Sequence, residues 1–144
     1  MSAPTHFALA RFNDHFNCAQ SVFAAFATQF GIPEETALKL ASPFGAGFSR
    51  RGEVCGAVTG ALLALGLARG ATTPAAKLEI YRLGEEFMRR FEARHANLRC
   101  RQLIDCDIST EEGWQQAAEK GAFTTICPVL VRDAVEIAQV LLQA

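Results

Sequence analysis

The residues best suited to chemistry in this chain of 144 residues are its five cysteines, Cys18, Cys55, Cys100, Cys106 and Cys127. The surrounding sequence puts Cys55, Cys100 and Cys127 at expected helix N-termini and Cys18 in the first turn or so of another helix. Unpaired N–H groups and the positive end of the helix dipole stabilise a thiolate there, and can bring a cysteine pKa from about 8.5 down to about 3.5–7.5. A thiolate is both the nucleophile of disulfide exchange and the form that binds metal. Arg50, Arg51, Arg99 and Arg101 could add positive potential nearby, and Glu53 is the one carboxylate near Cys55 that could move protons. No pair of cysteines forms C-x-x-C, so spacing supplies neither a thioredoxin-type motif nor a zinc knuckle. Free cysteine is also a common buried residue, which keeps inert packing open as an alternative.

The elements that must position these thiols read as helices. Apolar residues from Phe16 to Phe30 recur at helical spacing over about His15–Phe30, with Asn13 or Asp14 as cap and Gly31 as stop. Pro33 and two glutamates open a short second helix to about Ser42, and the glycine-rich segment 44–52 reads as a tight loop that delivers Cys55. In the helix that follows, Gly56, Gly60 and Ala64 repeat every four residues, so one face carries almost no side chain. Interior glycines cost roughly 1 kcal/mol each relative to Ala, and close packing against that face, with the Cys18 helix as the neighbour, would offset them. Thr73 and Pro74 announce a long helix with Leu78, Tyr81, Gly84, Phe87, Met88 and Phe91 on its buried face. A turn and short helix carry Cys100, a capping box of Ser109 and Glu112 opens a helix to Lys120, and Cys127-Pro128 starts the last one. No segment alternates as a strand does. The expected fold is all-α, a compact single domain over residues 1–144 with about six helices.

Composition narrows the function. A net charge of −1 gives no basic face for nucleic acid. The longest apolar run, Val54–Ala68, falls short of the roughly 20 residues that span a bilayer, so membrane insertion is not expected. The N-terminal Met1–His6 has neither a basic segment nor an apolar h-region, so no secretory signal is read and the cytoplasm is the expected compartment. Structural disulfides are disfavoured there, which turns the cysteines toward redox chemistry or metal. Half of the residues are hydrophobic and 11 are Phe, an apolar excess consistent with a helical homodimer.

The ordered set Asn17-Cys18-Ala19-Gln20, Cys55-Gly56-Ala57-x-x-Gly60, Cys100-Arg101 and Cys127-Pro128 resembles the C_GCAxxG_C_C family of small proteins described as redox-active. The likeness runs over nearly the whole chain. It implies that Cys18, Cys55, Cys100 and Cys127 are the functional set and leaves Cys106 outside. Phe44-Gly45-Ala46-Gly47 is similar to the family's glycine-rich lead-in, with Ala46 where a glycine is commoner. The family's distant likeness to split-Soret cytochromes does not bring haem here, because no C-x-x-C-H is present. Its frequent genomic setting beside transporter genes implies a redox or transporter-associated protein partner.

Two chemistries fit four convergent cysteines. They could ligate an iron-sulfur cluster or another thiophilic ion, or Cys55 or Cys127 could attack a disulfide or oxidant and another thiol resolve it. A non-enzymatic zinc module, its site completed by His15 or His95, and a helical interaction module with inert cysteines are the readings from other classes.

Overall fold

A computed structural model describes all residues, 1–144. It is all-α, with eight helices rather than about six: α1 Ala3–Asn13, α2 Cys18–Ala27, α3 Glu34–Ala41, α4 Gly56–Arg69, α5 Lys77–His95, α6 Cys100–Leu103, α7 Glu111–Glu119 and α8 Cys127–Gln143. Single helical turns occupy the joints at Gly45–Phe48 and Ala122–Thr125. The helix α1 is an addition to the sequence reading. Ser2 caps it by accepting from the Thr5 backbone N–H, but the side chains it buries are the small Thr5 and Ala8, which leave little apolar periodicity to read.

The expected first helix therefore starts later. Asp14 is the C-cap of α1, His15 has φ 71°, and the working cap of α2 is Asn17. Its Oδ1 accepts from Gln20 N–H at 2.9 Å while Gln20 Oε1 accepts from Asn17 N–H at 3.0 Å, a reciprocal capping box. The spare amides of the same two residues donate to Ser42 and Leu38 carbonyls, which ties the start of α2 to the end of α3. Gly45 lets this happen, since a Cβ there would lie 2.2 Å from Asn17 Cγ.

Helix α2 is buried along nearly its whole length and packs on α1, α3 and, most extensively, α4. The bare face of α4 meets it as expected: a Cβ on Gly60 would stand 2.7 Å from the Ala19 carbonyl oxygen, and one on Gly56 3.1 Å from Cys18 Cβ. Helix α8 closes the other side against α4, α1 and α5. Helix α5 buries Phe87 and Phe91 fully, but Leu78 and Tyr81 stay exposed, because its N-terminal half borders an open groove on α4. No helix is long and apolar enough to cross a membrane.

Gly60→Val should lower stability by about 1–3 kcal/mol in denaturant unfolding, because backbone leaves no room for the new atoms. Gly66→Ala on the same helix, where a Cβ meets nothing within 4 Å, should instead gain about 0.5–1 kcal/mol from helix propensity. Equal effects at the two positions would contradict the packing described.

Candidate functional site

All four family-pattern cysteines sit within one residue of a helix start. Cys18, Cys100 and Cys127 are the first residues of α2, α6 and α8, and Cys55 is the N-cap of α4. Three local devices hold them. Asn17 fixes the first by capping. A short antiparallel bridge between Val54 and Arg99 fixes the next two: Cys55 N–H donates to the Leu98 carbonyl at 2.8 Å and Cys100 N–H to the Glu53 carbonyl at 2.7 Å. Pro128 suits the first turn of α8, which carries the fourth; the backbone ahead of it is not turned out of the helical region as the sequence suggested, since Ile126 keeps φ −95° and ψ −54° after the turn at Ala122–Thr125.

These devices bring the four thiols to the wall of one cavity of about 450 Å³. It lies where two parts of the core meet. Cys55 belongs to the large cluster of α2, α4, α5 and α8, Cys100 and Cys127 to a smaller one with Ile104, Ile108, Ala117 and Ala122, and half-buried Cys18 touches both. Phe12, Phe16, Trp114 and Phe123 complete much of the wall, and the Trp114 and Phe123 rings meet at a tilt of 39° with centroids 4.6 Å apart. Sequence reasoning missed these aromatics as site residues. Trp114 and Phe123 come from segments with no cysteine of their own, and only their size marked them.

Other candidates fall elsewhere. Cys106 does not line the cavity. His15 stands on its wall, but His95 hydrogen-bonds to the buried Asp133 at 2.8 Å between α5 and α8. Glu53 does not line it, and neither do Arg50, Arg51, Arg99 and Arg101. Arg50 lies over the Trp114 ring and 3.8 Å from Glu111, and Arg101 is 3.6 Å from Asp107.

Helix N-termini do not by themselves govern these thiols. Burial pushes the Cys55 thiol up to about 12 from an ordinary 9.0, overcoming hydrogen bonds from the Ala57 and Val58 N–H groups. Burial likewise raises Cys100 to about 12, reinforced by the neighbouring Cys55 and Cys127. Cys18 and Cys127 move in opposite directions through their mutual contact. The neighbouring Cys18 thiol holds Cys127 below its ordinary range against the cost of burial. Cys18 is raised well above its own, first by its interaction with Cys127 and then by burial. The site thus has one favoured thiolate and three reluctant ones.

Four thiols are the donor set of a soft metal or an iron-sulfur cluster. Their arrangement does not fit one here, since no group of three or more Cys, His, Asp or Glu side chains is placed to hold an ion.

An all-helical protein with four helix-start cysteines around one cavity is what the fold and site define. The family described as "Putative redox-active protein (C_GCAxxG_C_C)" matches residues 16–141, and the chain belongs to that family. No curated protein and no solved structure matches it.

Because Cys55 and Cys100 hold their protons more tightly when folded, alkali should favour the unfolded chain. The unfolded thiols ionise near their ordinary value while the folded ones do not, so this stability is intact below about pH 9 and is lost as pH rises toward about 12. Urea midpoints measured from pH 7 upward should fall above pH 9, and Cys55→Ala should fall less steeply than the parent. Parallel slopes would show that burial of Cys55 does not carry the effect.

Proposed function

We propose that this protein is a thiol–disulfide redox protein in which Cys127 is the attacking thiolate and Cys18 the resolving thiol. What supports the reading is that Cys18 and Cys127 line one cavity and are close enough for each to be the leading influence on the other's ionisation. Membership of a family described as redox-active supports it.

In the reaction, Cys127 Sγ attacks one sulfur of a substrate disulfide, forming a protein–substrate disulfide as the substrate S–S bond breaks. The departing thiolate takes up the proton of Cys18. Cys18 Sγ then attacks Cys127 Sγ, the second substrate thiolate leaves, and an internal Cys18–Cys127 disulfide remains. The substrate gains two electrons and the protein loses two. Cys55, the other candidate redox thiol in the sequence, keeps its proton near neutral pH and is the poorer nucleophile.

The four-thiol donor set favours a second reading, ligation of an iron-sulfur cluster or zinc by Cys18, Cys55, Cys100 and Cys127. It requires the sulfurs to draw together from their present positions.

Oxidation of the reduced protein by one equivalent of diamide, followed by peptide mass mapping, separates the readings. The exchange reading predicts a Cys18–Cys127 linkage. Its rate should fall by roughly tenfold or more in Cys127→Ser and stay unchanged in Cys106→Ser. A linkage between other cysteines, or none, would overturn it. Stoichiometric iron with sulfide, or zinc, in anaerobically purified protein would establish ligation instead.

A further inference from the structure

The thiol cavity has a character that exchange alone does not require. Of its 17 lining residues 12 are hydrophobic, and none is Lys, Arg, Asp or Glu. Two cations in the segments beside it are already engaged: the Arg50 guanidinium lies 4.1 Å from the Trp114 ring centroid and 3.8 Å from Glu111, and Arg101 is 3.6 Å from Asp107. Apart from the cysteines, the polar side chains on the wall are those of Asn13, His15, Asn17 and Thr124, and none of them carries a permanent charge. A carboxylate or ammonium group brought in by a substrate would exchange its hydration for a mostly apolar wall with no permanently charged side chain, which is unfavourable. An aromatic and aliphatic wall of this kind instead gains from covering uncharged carbon, and about 450 Å³ is within the size range of small-molecule sites.

We propose, on the basis of the exchange function above, that the substrate of this site is a small uncharged organic disulfide with apolar substituents, and that charged disulfides such as those of amino acids and peptides are excluded. The reduction follows the same balance: one neutral disulfide RS–SR and the Cys18 thiol/Cys127 thiolate pair give one thiol, one thiolate that takes its proton from solvent, and the internal disulfide. Phe12, Phe16, Trp114 and Phe123 cover the substituents while the S–S bond faces Cys127. Hydration loss therefore sets the specificity, and no residue is needed to reject ions by repulsion.

Three disulfides of similar length test this in single-turnover mixing with the full-length reduced protein: bis(2-hydroxyethyl) disulfide, which is neutral, cystamine, a dication, and 3,3′-dithiodipropionate, a dianion. Each rate is divided by that of the same disulfide with 2-mercaptoethanol, which removes intrinsic reactivity. The neutral compound should exceed both ions by a factor of about ten or more. Thr124→Arg, at an exposed position on the cavity rim, should raise the normalised rate of the dianion several-fold. Equal normalised rates for the three, with the Cys18–Cys127 disulfide still forming, would overturn the substrate class and leave the exchange function standing. A dication faster than the neutral compound would overturn it too, since thiolate attraction would then outweigh hydration loss. No internal disulfide with any of the three would overturn the exchange function and this specificity with it.

Discussion

The contact on which the rest depends is the one between the Ala19 backbone on α2 and the missing side chains of Gly56 and Gly60 on α4. Two helices approach this closely only where one of them carries no Cβ. The approach fixes how far Cys18 can stand from Cys55, since a Cβ on Gly56 would sit 3.1 Å from Cys18 Cβ. It also brings the start of α2 to the loop that precedes α4, where Gly45 makes room for the Asn17 cap. From that pair of helix starts the Val54–Arg99 bridge carries the geometry to Cys100, and α8, packed on α4, adds Cys127. One steric fact thus sets where the four cysteines stand.

The arrangement works against local preference in two places. Residues 46–50 all have positive φ, and four of them, Ala46, Phe48, Ser49 and Arg50, are not glycine. Each such residue costs about 1–2 kcal/mol. The segment is held by Ser49 Oγ donating to the Pro43 carbonyl and by Glu53 N–H donating to Gly47, and it places Ala46 against the cavity. Strain retained by the surrounding structure is commonly found beside functional sites. The second conflict is electrostatic. Helix starts favour thiolates, whereas the dry wall that the same helices build favours thiols. Burial wins at Cys55 and Cys100, and the neighbouring Cys18 thiol reverses the balance at Cys127. Proximity of two thiols does what a helix dipole alone does not.

Much of this was legible in the sequence where a residue type has one strong physical use. The Gly56/Gly60 spacing announced a close helix neighbour, Cys127-Pro128 a helix start, and Gly31 and Gly121 helix stops, both of which adopt positive φ. The all-α class followed from the helical periodicity, and the family from the resemblance of the ordered cysteine motifs. What escaped was set by tertiary context. Helix α1 buries only small side chains, so its period was faint. The cap of α7 is Thr110, which accepts from Gly113 N–H, while Ser109 turns to Asp107, a choice between adjacent hydroxyls that spacing does not decide. The aromatic wall around the thiols depends on how α1, α7 and the turn at 122–125 fold over the site, and no local pattern encodes that.

The most direct measurement of the central claim, that one thiolate and three protonated thiols share this cavity, is a residue-resolved titration of the cysteine 13Cβ chemical shifts in the reduced protein. Cys127 should ionise below the ordinary 9.0 of a free thiol, while Cys18, Cys55 and Cys100 remain protonated through that pH. Four cysteines ionising together near 9 would contradict the account, because neither burial nor the Cys18–Cys127 contact would then distinguish them.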